Sequence, residues 1–600
     1  MSSVQHSSTA AINGIEEPIE KNGSAGNGSS QQDVQTRCRD RPIHANRHMR
    51  VVCIGAGASG IYLAYKLKHY FTDFTLDVYE KNLGVGGTWF ENRYPGCACD
   101  VPAHTYTYSF EPKWDWSANY ASSSEICEYF SNFVDKYGLR QYISCGHEVV
   151  GSHWEEEASE WVVQVEPPGG AVFEKRCDFL INAAGILNAW KWPAMPGLHS
   201  FQGNLVHSAN WDSSLDLTGK RVGLIGNGSS GVQILPRVQR VAKHVTAFIR
   251  SPTWVNPSRN MEYHEYTDEE KLQFREGPGV HLQLRKQIEH VMASYFPLFI
   301  QGSLAQETAL QAVKGLMKQK INNDILAEQL IPKFAVGCRR FTPGPNYLES
   351  LTLPNVAPIY GEISHITPCG CVTEGGQEHA LDVLICATGF DTTFKPRFPL
   401  IGRHGVNLTE YWKTEPRSYL GLAVHGFPNY FIFLGPNCPI GNGPIIISIE
   451  AQGCYMAEFM NRWQKEDIRT FDPKLAAVDD FQEQKDLLMQ KTVWSSNCQS
   501  WYKDRVSGKI TALWPGSTLH YLEALAKPRY DDFDVTYACR NRFAYLGDGL
   551  SQAELKPKGD LTYYIREKDQ GELLCRTLMS TYNAKDSGSR LRVPLGSILH

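Results

Sequence analysis

Two short apolar runs, each ending in Gly-x-Gly-x-x-Gly, constrain this chain more than any other feature. Arg50–Ile54 leads into Gly55-Ala56-Gly57-Ala58-Ser59-Gly60, and Lys220–Ile225 leads into Gly226-Asn227-Gly228-Ser229-Ser230-Gly231. A glycine triplet alone is weak. Here each one separates a buried-strand pattern from a helical one: Ile61, Leu63, Ala64 and Leu67 follow the first, and Val232–Val241 follows the second. That is the βαβ unit of a dinucleotide site. The first glycine permits a tight turn, the second lets a pyrophosphate approach the backbone, and the third lets helix and strand pack. The pyrophosphate meets the positive end of the helix. The next strand of each unit ends differently. Phe74–Glu80 closes on an acid, twenty residues after Gly60, placed to accept from ribose hydroxyls. His244–Ile249 closes on Arg250-Ser251, where a 2′-phosphate needs a cation. The first unit suits FAD and the second NADPH, with a plain surface role for Arg250 as the alternative.

The fold class expected is α/β: two Rossmann-like dinucleotide-binding domains (FAD and NADP) with a helical insertion. Six hundred residues exceed one hydrophobic core. The pattern divides into a disordered N-terminal tail (1–48), a first part of the FAD domain (49–200) and a linker (201–215). An NADP domain (216–384) follows, with a helical insertion at about 262–335. A second part of the FAD domain (385–550) and a C-terminal extension (551–600) complete the chain. In the insertion Glu, Gln, Lys and Leu rise, and Leu282, Ile288, Val291, Met292 and Leu298 suggest helices. Tyr295–Ile300 reads as a packed core face rather than a cavity wall. The extension is charged and weakly patterned.

Hydrophobic content of 42% and charged content of 20% are those of a soluble globular protein. A formal net charge of −5, without a Lys/Arg run, argues against a nucleic-acid surface. Sixteen cysteines are scattered, many in apolar runs such as those around Cys53, Cys177 and Cys386. Without CxxC or His/Cys metal spacing they read as reduced, mostly buried thiols, and no metal is expected. Cys97-x-Cys99 and Cys369-x-Cys371 are too close for an ordinary disulfide or zinc site. The tail is rich in Ser, Gly, Asn and Gln and lacks the apolar stretch of a signal peptide. No run reaches the ~18 apolar residues of a membrane span. A cytoplasmic location is expected.

Between the two units lies Phe201–Asp212, FQGNLVHSANWD, mostly polar and without helical or alternating period. Its residues Phe201, Gly203, His207, Trp211 and Asp212 resemble the fingerprint of Baeyer–Villiger monooxygenases. These are two-dinucleotide flavoenzymes that insert one oxygen atom of O2 beside a ketone. Gly86–Asp100, made loop by Gly84, Gly86, Gly87, Pro95 and Gly96, resembles a second motif of that family: Gly-Gly-x-Trp, Tyr-Pro-Gly, then Asp. Asn182–Gly185 and Ala387–Gly389 resemble the small-residue turns where such chains leave and re-enter the FAD domain, and Phe431–Leu434 resembles its last strand. Gly337-Cys338-Arg339-Arg340-Phe341 resembles a Lys-Arg-aromatic motif, with arginine in place of lysine at 339. Thr342-Pro343-Gly344-Pro345 resembles the fungal natural-product branch. Trp494, Ser500-Trp501-Tyr502 and Trp514–Ser517 resemble a segment near the substrate opening. The likeness spans roughly Met49 to Tyr545.

The resemblance implies a role for each position. FAD would lie on Gly55, Gly57, Gly60, Glu80, Gly87, Thr88, Trp89, Phe90, Asp100, Val101 and Tyr106. NADP would lie on Ala98, Cys99, Asp100, Gly226, Asn227, Gly228, Ser229, Ser230, Gly231, Gln233, Arg250, Ser251 and Arg339. Arg340 would be the catalytic arginine, with Asp100 the acid that holds it. The fingerprint would serve as hinge, and His207 would take no part in proton transfer. NADPH would reduce FAD, and O2-derived oxygen would attack a small-molecule ketone as an anion. A fixed guanidinium suits that charge, being permanently ionised and pre-oriented. The nearest rival is an N- or S-oxygenating flavin-containing monooxygenase, whose fingerprint usually lacks the closing Trp-Asp/Pro. A dithiol reductase would need a CxxC. A nucleotide-sensing protein would bind NADPH without oxidising it. Regiochemistry, oligomeric state and the ketone itself are not written in the sequence.

Overall fold

The computed structural model describes residues 40–256, 262–439, 441–504 and 506–565. The expected tail before residue 40 and the extension beyond 565 lie outside the described residues. Two five-stranded parallel sheets carry the architecture. The first runs Tyr430–Ile432, Phe179–Asn182, Met49–Ile54, Phe74–Glu80 and Ile143–Cys145 from edge to edge. Its central strand, MRVVCI, is buried along nearly its whole length, as a parallel strand covered on both faces must be. The second runs Val356–Tyr360, His244–Ile249, Arg221–Ile225, Val383–Cys386 and Asn204–His207. A third layer, strands Glu148–Glu155, Glu160–Glu166 and Phe173–Cys177 with the short Leu400–Ile401, covers the first sheet. The α/β class with two Rossmann-like units is thus the fold of the chain.

The two glycine turns are near copies. Gly55 has φ +100° and Gly226 φ +102°, the left-handed region that favours glycine. A Cβ on Gly60 would sit 2.0 Å from the Gly55 carbonyl oxygen, and one on Gly231 would sit 2.1 Å from that of Gly226. The third glycine therefore seats each helix, Ala58–Tyr70 and Ser229–Val238, on the turn before it.

The fingerprint contains a strand that its sequence does not announce. Asn204–His207 pairs in parallel with Val383–Cys386 at the edge of the second sheet. Four residues are too few to show an alternating period. The insertion is helical as expected, in Asp268–Glu276, Val280–Ser294, Leu304–Ile321 and Asp324–Leu330. Its buried face differs from the expected one. Leu282 and Val291 are 54% and 37% exposed, while His281 and Met292 of the same helix are buried. Phe299 is buried, 5.4 Å from Trp494 between ring centres, so that part of Tyr295–Ile300 is core.

Two expectations are corrected. Residues 40–48 are not tail. Arg47 stacks 3.3 Å over Trp463, Arg41 pairs with Asp467, and Ile43 donates its N–H to Leu550. The thiols are not all reduced. Cys338 and Cys498, 160 residues apart, form a disulfide, and Cys539 is disulfide-bonded too. Local spacing says nothing about a pair that only tertiary folding brings together. Cys97, Cys99, Cys369 and Cys371 are free. No helix among the described residues is long and apolar enough to cross a membrane.

Candidate active site

A cavity of about 920 Å³ runs between the two glycine turns. That lies at the upper end of the roughly 300–1,000 Å³ of small-ligand sites. One end is built by Gly55, Gly57 and Glu80, and Ser229, Ser230 and Gln233 of the second unit reach it from the other side. Gly57 and Gly87 meet backbone to backbone. A Cβ on Gly87 would sit 3.0 Å from the Cα of Gly57, and only bare backbone leaves a cradle there. The Glu80 carboxylate accepts the N–H of Ala56, inside the glycine turn, at 2.8 Å and that of Asn82 at 2.9 Å. Burial raises its pKa, and those two donors hold it back. Thr88, Trp89, Val101 and Tyr106 line the cavity, with Trp89 edge-on to Tyr106 at 5.3 Å.

Two residues expected at FAD are not among those lining the cavity. Gly60 packs against the Gly55 carbonyl. Phe90 turns toward Gly84, whose Cβ would fall 2.5 Å from its ring, and Arg93 covers its face at 4.5 Å. The Thr88–Glu91 turn is helical, so neighbouring side chains cannot all face the cavity. Cys99 is likewise buried in the core, its N–H donated to Ala121.

Arg340 and Asp100 meet in the cavity wall. Nε of Arg340 donates to Oδ2 of Asp100 and Nη2 to Oδ1, both at 2.7 Å. This is the fork geometry that only arginine offers a carboxylate. Burial alone would raise the Asp100 pKa. The Arg340 charge and its hydrogen bonds outweigh burial and hold it below the ordinary range. In return the Asp100 charge, working against desolvation, keeps Arg340 ionised. A fixed cation therefore faces the cavity.

The second unit gathers its cations at the end of the His244–Ile249 strand. Arg339 donates to Ser251 Oγ at 3.1 and 3.2 Å and to the Pro252 carbonyl at 3.2 Å. Arg250 is close enough to lower the Arg339 pKa further, after burial has done so. The Arg339 Nε is buried without a hydrogen-bond partner. Two guanidinium groups and a serine hydroxyl at one strand end make the donor set that a 2′-phosphate would take. A Cβ on Gly228 would meet nothing within 4 Å, which leaves room over the turn. Asn227 holds the far strand by donating to the Ser251 carbonyl at 2.9 Å. The residues present fit NADP here and FAD at the first turn.

Gln233 ties the units together. Its amide donates to the Ala98 carbonyl at 3.0 Å and accepts from the Tyr94 hydroxyl at 2.8 Å. A Cβ on Gly96 would lie 2.5 Å from the Gln233 carbonyl. The Gly86–Asp100 loop is thus clamped onto the second helix. Tyr94 belongs to the Tyr-Pro-Gly element of the motif, but its partner, 139 residues away, is not visible in the sequence.

His207 is fully buried away from this chemistry. Nδ1 accepts the N–H of Ala209 at 3.1 Å, so the proton sits on Nε2 and goes to Thr388 Oγ1 at 3.2 Å. Trp190 stacks on the ring at 4.6 Å. Burial lowers its pKa to about 4. The fingerprint histidine thus docks on the Ala387–Gly389 turn. Phe201 is buried and Trp211 packs at the edge of the second core. Asp212 caps a turn, accepting the Ser214 N–H at 2.9 Å.

Two phosphate cradles on parallel sheets, joined by a cavity with a half-buried, ion-paired guanidinium in its wall, define an oxidoreductase built on two dinucleotide folds. Residues 53–118 match the NAD(P)-binding Rossmann-like domain. FAD-binding monooxygenase tazF of Aspergillus terreus is 40% identical over 555 residues, covering 89% of this chain and 98% of that protein. A Baeyer-Villiger monooxygenase of Streptomyces coelicolor is 33% identical over 480 residues, covering 79% and 90%. Among solved structures, the OTEMO complex with FAD and NADP superposes with a TM-score of 0.72 at 26% identity, covering 82% of this chain and all of that one. The chain belongs to the Baeyer–Villiger family of FAD-binding monooxygenases, with FAD and NADPH as its cofactors.

Proposed function

We propose that this site converts a ketone of fungal secondary metabolism, terpenoid or polyketide in kind, to an ester or lactone. Bound FAD, reduced by NADPH, supplies the O2-derived oxygen. The chain's own residues do the rest. Gly55, Gly57 and Glu80 hold the flavin nucleotide at one end of the cavity. Ser229, Ser230, Arg250, Ser251 and Arg339 hold the 2′-phosphorylated nucleotide at the other. Arg340 presents its charge where negative charge grows on oxygen, and Asp100 fixes its orientation. Electrostatics of that kind act strongly in a water-poor site, because the donor is already in place. His207 and the fingerprint strand act as a hinge. We place the enzyme in the cytoplasm: the free cysteines, Cys53, Cys177 and Cys386 among them, favour a reducing compartment, and the Cys338–Cys498 bond is the feature that opposes it.

The observation that carries this reading is the two-pronged Arg340–Asp100 pair inside the cavity. Its test is Arg340→Ala. Flavin reduction by NADPH should persist, while ester formation falls ~10²–10³-fold, the usual cost of one lost oxyanion donor. Ester formation at the wild-type rate would remove Arg340 from the mechanism. Wild-type enzyme that yields N-oxide or sulfoxide, and no ester from any ketone tried, would favour the heteroatom-oxygenating reading.

A further inference from the structure

The Arg340 guanidinium is only partly used by Asp100. The carboxylate takes Nε and Nη2, and Arg340 lines the cavity beside it. The hydroxyl of Tyr502 is in electrostatic contact with both Arg340 and Asp100. Tyr502 is 2% exposed, and it lines the same cavity between Trp501 and Leu513. Its carbonyl accepts the N–H groups of Thr511 and Ala512 at 3.0 and 3.2 Å, and Trp501 packs edge-on to its ring at 4.7 Å. The ring is therefore held in position.

The hydrogen-bond inventory of that hydroxyl is decisive. A guanidinium has donors only, so toward Arg340 the Tyr502 oxygen can only accept. Its own proton is then left to donate. Among the described residues no carbonyl or carboxylate oxygen takes it in a hydrogen bond. Burial raises the phenol above its ordinary pKa of 10, so the proton is present at neutral pH. The Cys338–Cys498 disulfide joins the segment that carries Arg340 to the segment that carries Tyr502. The crosslink thus fixes the spacing of the two groups.

We propose that Tyr502 is a second catalytic donor: its hydroxyl accepts from Arg340 and donates a hydrogen bond to the carbonyl oxygen of the ketone as negative charge builds there. The proton stays on the phenol. The inference rests on the ketone-oxygenating reading above. It adds a neutral donor to the fixed cation, so that two groups converge on one developing oxyanion.

The test is Tyr502→Phe, which removes one oxygen and keeps the ring. NADPH-driven flavin reduction and KM for the ketone should change less than about threefold, while kcat for ester formation falls ~10–100-fold, the worth of one hydrogen bond to a charged group. NADPH oxidation should continue as hydrogen peroxide release. A second variant carries 3,5-difluorotyrosine at 502, which keeps the shape and makes the phenol more acidic. Ester formation is lost once the phenol ionises, so its alkaline limb should move to lower pH. A purely structural role would leave that limb in place. Wild-type kcat in Tyr502→Phe, or an unmoved limb in the fluorinated enzyme, overturns the proposal. If the wild type itself makes no ester, the functional reading fails first, and the two failures are told apart.

Discussion

Arg339 and Arg340 are neighbours in the chain with different partners, and only Arg340 lines the cavity. Arg340 spends its fork on Asp100, while Arg339 turns to Ser251 and leaves its Nε unpartnered. A charged hydrogen bond contributes about 1.5–3 kcal/mol, roughly ten- to a hundredfold in affinity. Arg339→Ala is therefore expected to raise KM for NADPH by ~10–100-fold and leave KM for NADH nearly unchanged. Arg339→Lys should recover part of the loss, since it keeps charge but not the two-pronged contact. Steady-state kinetics with both nucleotides decides. His207 gives a pH prediction. Its pKa falls from the ordinary 6.5 to about 4 because it is buried. Between those values the unfolded chain binds a proton that the folded chain refuses, so stability rises with pH. His207 costs nothing above about 6.5, and stability is lost progressively as pH falls toward 4. Replacing it by glutamine should flatten the stability–pH slope in that window by up to about 1.4 kcal/mol per pH unit. His104 and His281 shift the same way, to about 3 and about 4, and will retain the remaining slope. Urea midpoints at a series of pH values measure it, and an unchanged slope would mean His207 is hydrated.

The fingerprint strand is held by close backbone approach. A Cβ on Gly203 would lie 2.4 Å from the Asp382 carbonyl oxygen and 2.7 Å from the Phe201 ring. The carbonyl cannot yield without parting Asn204–His207 from Val383–Cys386. Gly203→Ala is expected to destabilise by about 1–3 kcal/mol, as overpacking does, and to shift the denaturant midpoint at constant slope. Wild-type stability would show that the strand pair has slack. What could be read in advance follows from how local each cause is. Both glycine turns were legible because strand, turn and helix fall within one continuous stretch. Glu80 and Arg250 stand where the sequence puts them, at the ends of the following strands, with Arg250 largely exposed beside Glu362. The Arg340–Asp100 pair, 240 residues apart, became legible only through resemblance. The Asn204–His207 strand was hidden by its brevity. The inward face of Val280–Ser294 was hidden because His281, not an aliphatic residue, docks on His104 at 2.9 Å. At Phe90 the motif implies a flavin contact, while the helical turn sets its ring by Gly84, outside the residues that line the cavity.

Across the whole molecule, contacts remote in sequence fix how the two nucleotide units meet. Gln233 clamps the Gly86–Asp100 loop, and the Cys338–Cys498 bond ties the arginine pair to the Ser496–Tyr502 stretch. Closing a loop of 160 residues removes much freedom from the unfolded chain. Disulfides typically contribute about 2–4 kcal/mol in this way, and the entropic gain grows with loop length. The bond also acts on the folded state, because it joins the segments that carry Arg340 and Tyr502. Cys498→Ser should therefore lower the thermal midpoint and slow ester formation, while NADPH-driven flavin reduction, which depends on the two cradles, stays near wild type. Dithiothreitol should lower the wild-type midpoint toward that of Cys498→Ser and lower the midpoint of Cys338→Ser/Cys498→Ser less, since only the bond at Cys539 is left there to reduce. Differential scanning fluorimetry with and without reductant reads the first effect, and single-turnover product analysis reads the second. A wild-type midpoint indifferent to reductant, with intact mass showing both thiols free, would mean that packing around Phe299 and Trp494 holds the wall unaided.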